Sequence, residues 1–198
     1  MIFLTATMAV YCDVGGSDDS PGTSQSVSTS GAPAIRLKTN DDLAVDKNNP
    51  IPIPSNGEQY NRSFWRHVYL YCSAAPDTQI DNVKFYTDGG GFGTGVNLWV
   101  GDETPTKNSG SDAGYAVAVG TVGESGTPMT SHPDITGTTD AFSYTSASPK
   151  SVSISESGNV IDAQGETTDY LVFQMAVASN ASSGDLPDET MTYMYDEI

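Results

Sequence analysis

Positive charge is scarce in this chain. Against 25 Asp and Glu stand 8 Lys and Arg, a net charge of −17, and no Lys or Arg follows Lys150. A field of that sign repels nucleic acid and anionic membranes, so neither is an expected partner. Histidine is scarcer still, with only His67 and His132. A Ser-His-Asp triad would need one of them beside a primed serine. Gly123-Glu124-Ser125-Gly126 does not complete GxSxG, because Thr127 follows, and it reads as a turn. No stretch approaches the roughly 20 apolar residues of a membrane-spanning helix. No window keeps a helical period between capping signals.

Cysteine is limited to Cys12 and Cys72. Neither has a CxxC partner or a histidine at metal spacing, which argues against zinc. They are either a disulfide closing a long loop or two buried thiols, and both readings stay open.

Ser, Thr, Gly and Asn fill much of the remainder, as in extracellular and virion β-proteins. Ile2, Leu4, Ala6, Met8, Val10, Cys12 and Val14 occupy every even position of the N-terminus. That period of two predicts a strand with one buried face. The start lacks the basic region of a signal peptide. Residues 15–33 read as a polar loop or arm. Pro50, Pro52 and Pro54 predict an extended edge segment.

Further strands are expected over 64–72, 80–87, 96–101, 115–122, 141–145, 151–155, 170–178 and 190–195. In 170–178 both faces are apolar, which suits a central strand. The last two of these strands form the clearest hairpin of the pattern. The chain should therefore be all-β: an antiparallel, jelly-roll-like β-sandwich of nine or more strands with an extended N-terminal strand. Residues 1–63 supply that strand, a polar loop and the Pro-rich segment. Residues 64–198 supply the sandwich core.

The stretch Asp88-Gly-Gly-Gly-Phe-Gly-Thr-Gly-Val96 invites a phosphate-loop reading. Such a loop needs a helix directly after it, and Val-Asn-Leu-Trp-Val is a strand pattern. No Lys-Ser or Lys-Thr follows either. The glycines fit a β-hairpin turn that needs positive φ.

Carboxylates are plentiful, but no glycosidase pair stands out among them. No cofactor is expected. A structural calcium ion is the alternative, with Asp41, Asp42, Asp46 and Asp88 as candidate ligands. The groups around Asp13 and around Asp162, Glu166 and Asp169 are comparable, and none has EF-hand spacing. Trp65, Tyr69 and Tyr71 share one strand face with His67. They suit packing or a subunit interface, and a sugar platform is the alternative.

Residues 64–198 resemble small β-sandwich structural proteins of tailed bacteriophages. The resemblance rests on Ile80-Asp-Asn-Val-Lys-Phe-Tyr-Thr-Asp-Gly-Gly90, Phe92-Gly-Thr-Gly-Val96, Val100-Gly-Asp-Glu-Thr-Pro105 and the ending Glu189-Thr-Met-Thr-Tyr-Met-Tyr-Asp-Glu-Ile198. It implies a virion component that decorates a capsid or belongs to a tail. Its partners would be further copies of itself and other virion proteins such as the major capsid protein. A prokaryotic filament or adhesin subunit at the cell surface is a second reading, and a carbohydrate-binding module a third. The strand at Ile2, Leu4, Ala6, Met8 and Val10 is the expected assembly arm, because an added strand binds through main-chain hydrogen bonds.

Overall fold

The computed structural model describes residues 6–17, 20–28, 34–55, 60–109 and 127–198. Among them are ten strands and no α-helix, only single 3-10 turns. The strands are β1 (Thr7–Val14), β2 (Thr23–Val27), β3 (Asn61–Arg62), β4 (Arg66–Ala74), β5 (Ile80–Thr87), β6 (Val96–Glu103), β7 (Ile135–Asp140), β8 (Lys150–Ser151), β9 (Leu171–Val177) and β10 (Met191–Glu197). All pairings are antiparallel. A seven-stranded sheet runs β2-β1-β4-β9-β6-β7, with β3 also on β9, and a three-stranded sheet runs β10-β5-β8. The all-β sandwich expected from the sequence is the fold.

The core lies between the sheets. Val68, Leu70 and Cys72 of β4 point into it, as do Leu98 and Val100 of β6 and Leu171 and Phe173 of β9. They meet Ile80, Val83 and Phe85 of β5, and the Phe85 and Phe173 rings stand edge to face at 5.4 Å. Burying a side chain of this size contributes about 1.5–3 kcal/mol. All seven residues of β9 are buried, which explains why both of its faces are apolar. It is a central strand, flanked by β4 and β6.

Two expected hairpins are corrected. The glycine stretch joins β5 to β6, and these strands belong to different sheets. The segment joining β9 to β10 crosses between the sheets in the same way. Sequence alternation marks strands but does not say which sheet each one joins. The glycine argument itself holds. Gly95 has φ 77°, and a Cβ there would come within 2.7 Å of the Ala181 backbone. Residues 141–145 are not a strand: Ala141–Ser143 form a 3-10 turn, N-capped by Asp140, whose side chain accepts from the Phe142 N–H. The expected strand over 115–122 lies outside the described residues. β2 and β7 were not foreseen, because Thr-Ser-Gln-Ser-Val and Ile-Thr-Gly-Thr-Thr-Asp carry little apolar alternation.

Candidate functional site

β1 lies within the large sheet, between β2 and β4. It pairs with β4 from Thr7↔Ala74 to Asp13↔His67 and with β2 from Val10↔Val27 to Val14↔Thr23. Ala6 is buried, and Met8 and Val10 pack against the main core. The expected assembly arm is therefore corrected over Ala6, Met8 and Val10. From Val10 to Asp13 β1 has β2 on one side and β4 on the other, and from Thr7 to Ala9 it is bonded along β4, so this stretch is a strand of its own sheet rather than a free arm. Ile2 and Leu4 lie outside the described residues.

Cys12 and Cys72 are buried free thiols. Cys12 sits opposite Val68, and Cys72 sits opposite Met8. They are offset by four residues along β4, about 13 Å at the strand rise. A disulfide needs Cα atoms within about 7 Å, so the disulfide reading is corrected. Burial pushes the Cys12 thiol up to about 12.

Three of the four calcium candidates, Asp41, Asp42 and Asp46, are paired with cations of the chain itself. Arg66 is fully buried on the core face of β4. Its Nη1 meets Asp41 Oδ1 at 2.6 Å, its Nε donates to the Arg36 carbonyl at 2.7 Å, and its Nη2 donates to the Asn40 carbonyl at 2.8 Å. Asp41 also accepts from the Gly15 N–H at 2.7 Å. Lys38 Nζ lies 2.5 Å from Asp42 Oδ1 and 3.3 Å from Asp46 Oδ1. Burial raises the Asp41 carboxyl against the pull of Arg66, while the hydrogen bond from Lys38 lowers Asp42. These three aspartates are counter-ions that fold residues 36–46 over the end of the core. Asp88 accepts from the Gly90 N–H at 3.0 Å. Beside it the Glu189 carboxyl is raised by desolvation and then by the Asp88 charge. Among the described residues no group of three or more His, Cys, Asp or Glu is placed to hold a metal ion.

The aromatic stripe lies on the outer face of the large sheet, where it builds a second core. Trp65, Tyr69, Met129, Ile135, Tyr170 and Val172 are buried together, with Tyr11, Tyr71 and Trp99 at the margin. Tyr11 stacks on Tyr69 at 5.9 Å, and His67 meets Tyr170 edge to face at 5.3 Å. Trp65 donates its indole N–H to the Thr127 carbonyl at 3.3 Å. Gln174, fully buried on β9, accepts from the Met129 N–H at 3.0 Å and donates to the carbonyls of Thr127 and Ser63. Residues 127–135 are thereby fastened over the aromatics. Trp65 and Tyr69 are packing residues, and Tyr71 stays half-buried at the rim.

This face also carries a polar network that the sequence did not reveal. The buried Asp13 carboxylate accepts from Ser24 Oγ at 2.5 Å and from the Tyr170 hydroxyl, and Tyr69 donates to Ser24 at 2.9 Å. Lys107 Nζ lies 4.6 Å above the Tyr69 ring and 5.5 Å from that of Tyr170. Burial pushes Tyr69 up to about 12 and drives Tyr170 higher, with Asp13 adding to both. Burial, with Arg66 beside it, lowers His67 to about 3, so the imidazole is neutral. Burial thus favours the uncharged forms of His67, Tyr69 and Tyr170 alike.

The loops at residues 92–96 and 182–187 border an open cleft of about 270 Å³, lined by Phe92, Thr94, Val96, Ser182 and Leu186. Strand edges are also exposed, among them that of β10, which among the described residues pairs only with β5. No protein-family model, curated protein or solved structure matches the chain.

Proposed function

We propose that this chain is a non-enzymatic structural protein of a virus particle, which coats a capsid or tail through β-sheet contacts. One observation carries the reading. Both faces of the large sheet are filled by the chain's own side chains, and the buried ionic and polar groups on them are bonded to one another. Among the described residues, what remains for a partner is a polar, acidic surface, the open cleft beside Phe92 and Leu186, and the peptide groups of open strand edges. A surface of that kind serves to assemble. The likeness of residues 64–198 to phage sandwich proteins points the same way. The partners are further copies of the chain and other virion proteins such as the major capsid protein.

The test is the native assembly state, by light scattering of the purified chain and electron imaging of its source particles. The expected result is a regular lattice on a capsid or tail. Free fibres without a capsid would favour a cell-surface filament subunit. A lone monomer that binds glycans would favour a carbohydrate-binding module. Either outcome overturns the proposal.

A further inference from the structure

Among the described residues, β10 is paired on one side only, with β5. The peptide groups of Val83 and Thr87 face away from β10, since Val152 donates to the Val83 carbonyl and Thr87 donates to that of Tyr144. Peptide direction alternates along a strand, so Lys84 and Tyr86 face β10. Their partners there are Met194 and Thr192. Ile198 likewise exchanges both of its bonds with Gln79. Met191, Tyr193, Tyr195 and Glu197 therefore turn their N–H and C=O groups outward. No backbone hydrogen bond from the described residues reaches them.

Natural edges are guarded by brevity, proline, lysine or a bulge. β8 is two residues long, β2 is short and polar, and β7 carries Gly137 at φ 61° beside a register shift. β10 runs seven residues without Pro or Lys. Its register shift with β5 is absorbed on the other strand, at Asn82, whose φ is 49°. Met194 on its outer face is 42% exposed.

We infer that the β10 edge pairs antiparallel with β10 of a second copy, across a two-fold axis at Met194. This rests on the assembly reading above and names its contact. Outward peptide groups must meet outward ones, which restricts the register. Centring on Met194 sets Tyr193 opposite Tyr195 and Met191 opposite Glu197, so every outward group is paired. It also sets Asp196 opposite Thr192, so each acid faces a neutral residue. The two Asp196 carboxylates are then about 14 Å apart along the strands, beyond the screening length of about 8 Å at physiological salt. Moving the axis toward Asp196 brings acid against acid. In the Met194 register the exposed methionines of the two copies touch, and two three-stranded sheets become one continuous sheet.

Opposed residues of this non-hydrogen-bonded kind have Cα atoms about 4.5 Å apart, within disulfide range. Met194→Cys under mild oxidation should give a reducible covalent dimer, while Tyr86→Cys on β5 stays monomeric. Met194→Lys should weaken the dimer roughly tenfold or more in sedimentation, because like charges meet at the axis. Its circular dichroism should be unchanged, since the side chain is exposed. Wild-type association should strengthen with salt, because each copy carries −17. A chain that stays monomeric at high concentration and salt, with Met194→Cys uncrosslinked, overturns the inference. So does association that survives Met194→Lys but is lost on deleting residues 1–5. A particle lattice seen without the crosslink would sink the β10 contact and leave the virion reading standing. A crosslinked dimer absent from any particle would do the reverse.

Discussion

Arg66 Nη1 lies 2.6 Å from Asp41 Oδ1, with the guanidinium wholly buried and the aspartate at the rim of the core. The pair ties the loop over 36–46 to the start of β4. Removing one partner of a buried pair strands the other charge. Asp41→Ala should lower stability by about 3–5 kcal/mol in urea unfolding. Arg66→Lys should also be costly, since one ammonium cannot replace donors aimed at Asp41 and at the carbonyls of Arg36 and Asn40. A change below about 0.5 kcal/mol in both would show that the loop is not anchored there.

His67 sets an acid limit. Its folded value is about 3 against an unfolded 6.5. Below pH 6.5 the unfolded chain binds a proton that the folded chain refuses. Stability should therefore fall by about 1.4 kcal/mol per pH unit from 6.5 down towards 3, and be fully present above 6.5. Asp41 and Glu189, both raised, act in the opposite sense. Comparison with His67→Gln isolates the histidine. The variant should show a flatter pH dependence between 6.5 and 4, and an unchanged slope refutes the assignment.

The two thiols should react as buried groups. Native protein should be alkylated slowly at Cys12, whose thiol is pushed up to about 12, and both cysteines should be labelled at once in denaturant. Reductant should leave the melting temperature unchanged. A mass two hydrogens short before reduction would contradict the offset along β4.

Calcium should not matter to the fold at residues 38–46. Lys38 and Arg66 already hold Asp42, Asp46 and Asp41. Chelator and millimolar calcium should give superimposable melting curves. A calcium-dependent rise that Asp42→Asn removes would restore the metal reading.

Trp65→Ala should report on packing. The indole is buried among Tyr69, Met129 and Tyr170. Its truncation should cost about 3–5 kcal/mol. A stable variant that merely loses a glycan would show instead that the face is a sugar platform.

Much of the fold was legible in the chain. The period of two marked β1, β4, β5 and β6, because only one face of each strand meets the main core. The doubly apolar run marked β9 as central. The grouping of Trp65, Tyr69 and Tyr71 on the face opposite Val68 and Leu70 was legible too, and the two sets fall in separate cores. Sheet membership was not legible. The glycine stretch and residues 178–190 look like hairpin turns, yet both cross between sheets, since a local pattern carries no information about which distant strand supplies the hydrogen bonds. β2 and β7 were missed because Ser and Thr at a polar edge leave no apolar signature.

The sequence by itself determined the all-β class, the face that each strong strand buries, the acidic surface and the glycines at positive φ. These follow from local sterics, side-chain alternation and charge count. Tertiary structure alone decided that β1 is an interior strand rather than an arm. It also decided that Cys12 and Cys72 stand four residues out of register, that Asp41, Asp42 and Asp46 neutralise Arg66 and Lys38, and that alternate peptide groups of β10 turn away from β5. Each depends on long-range pairing, in which the partner of a peptide group or a charge lies tens of residues away and is chosen by the packing of the whole sandwich.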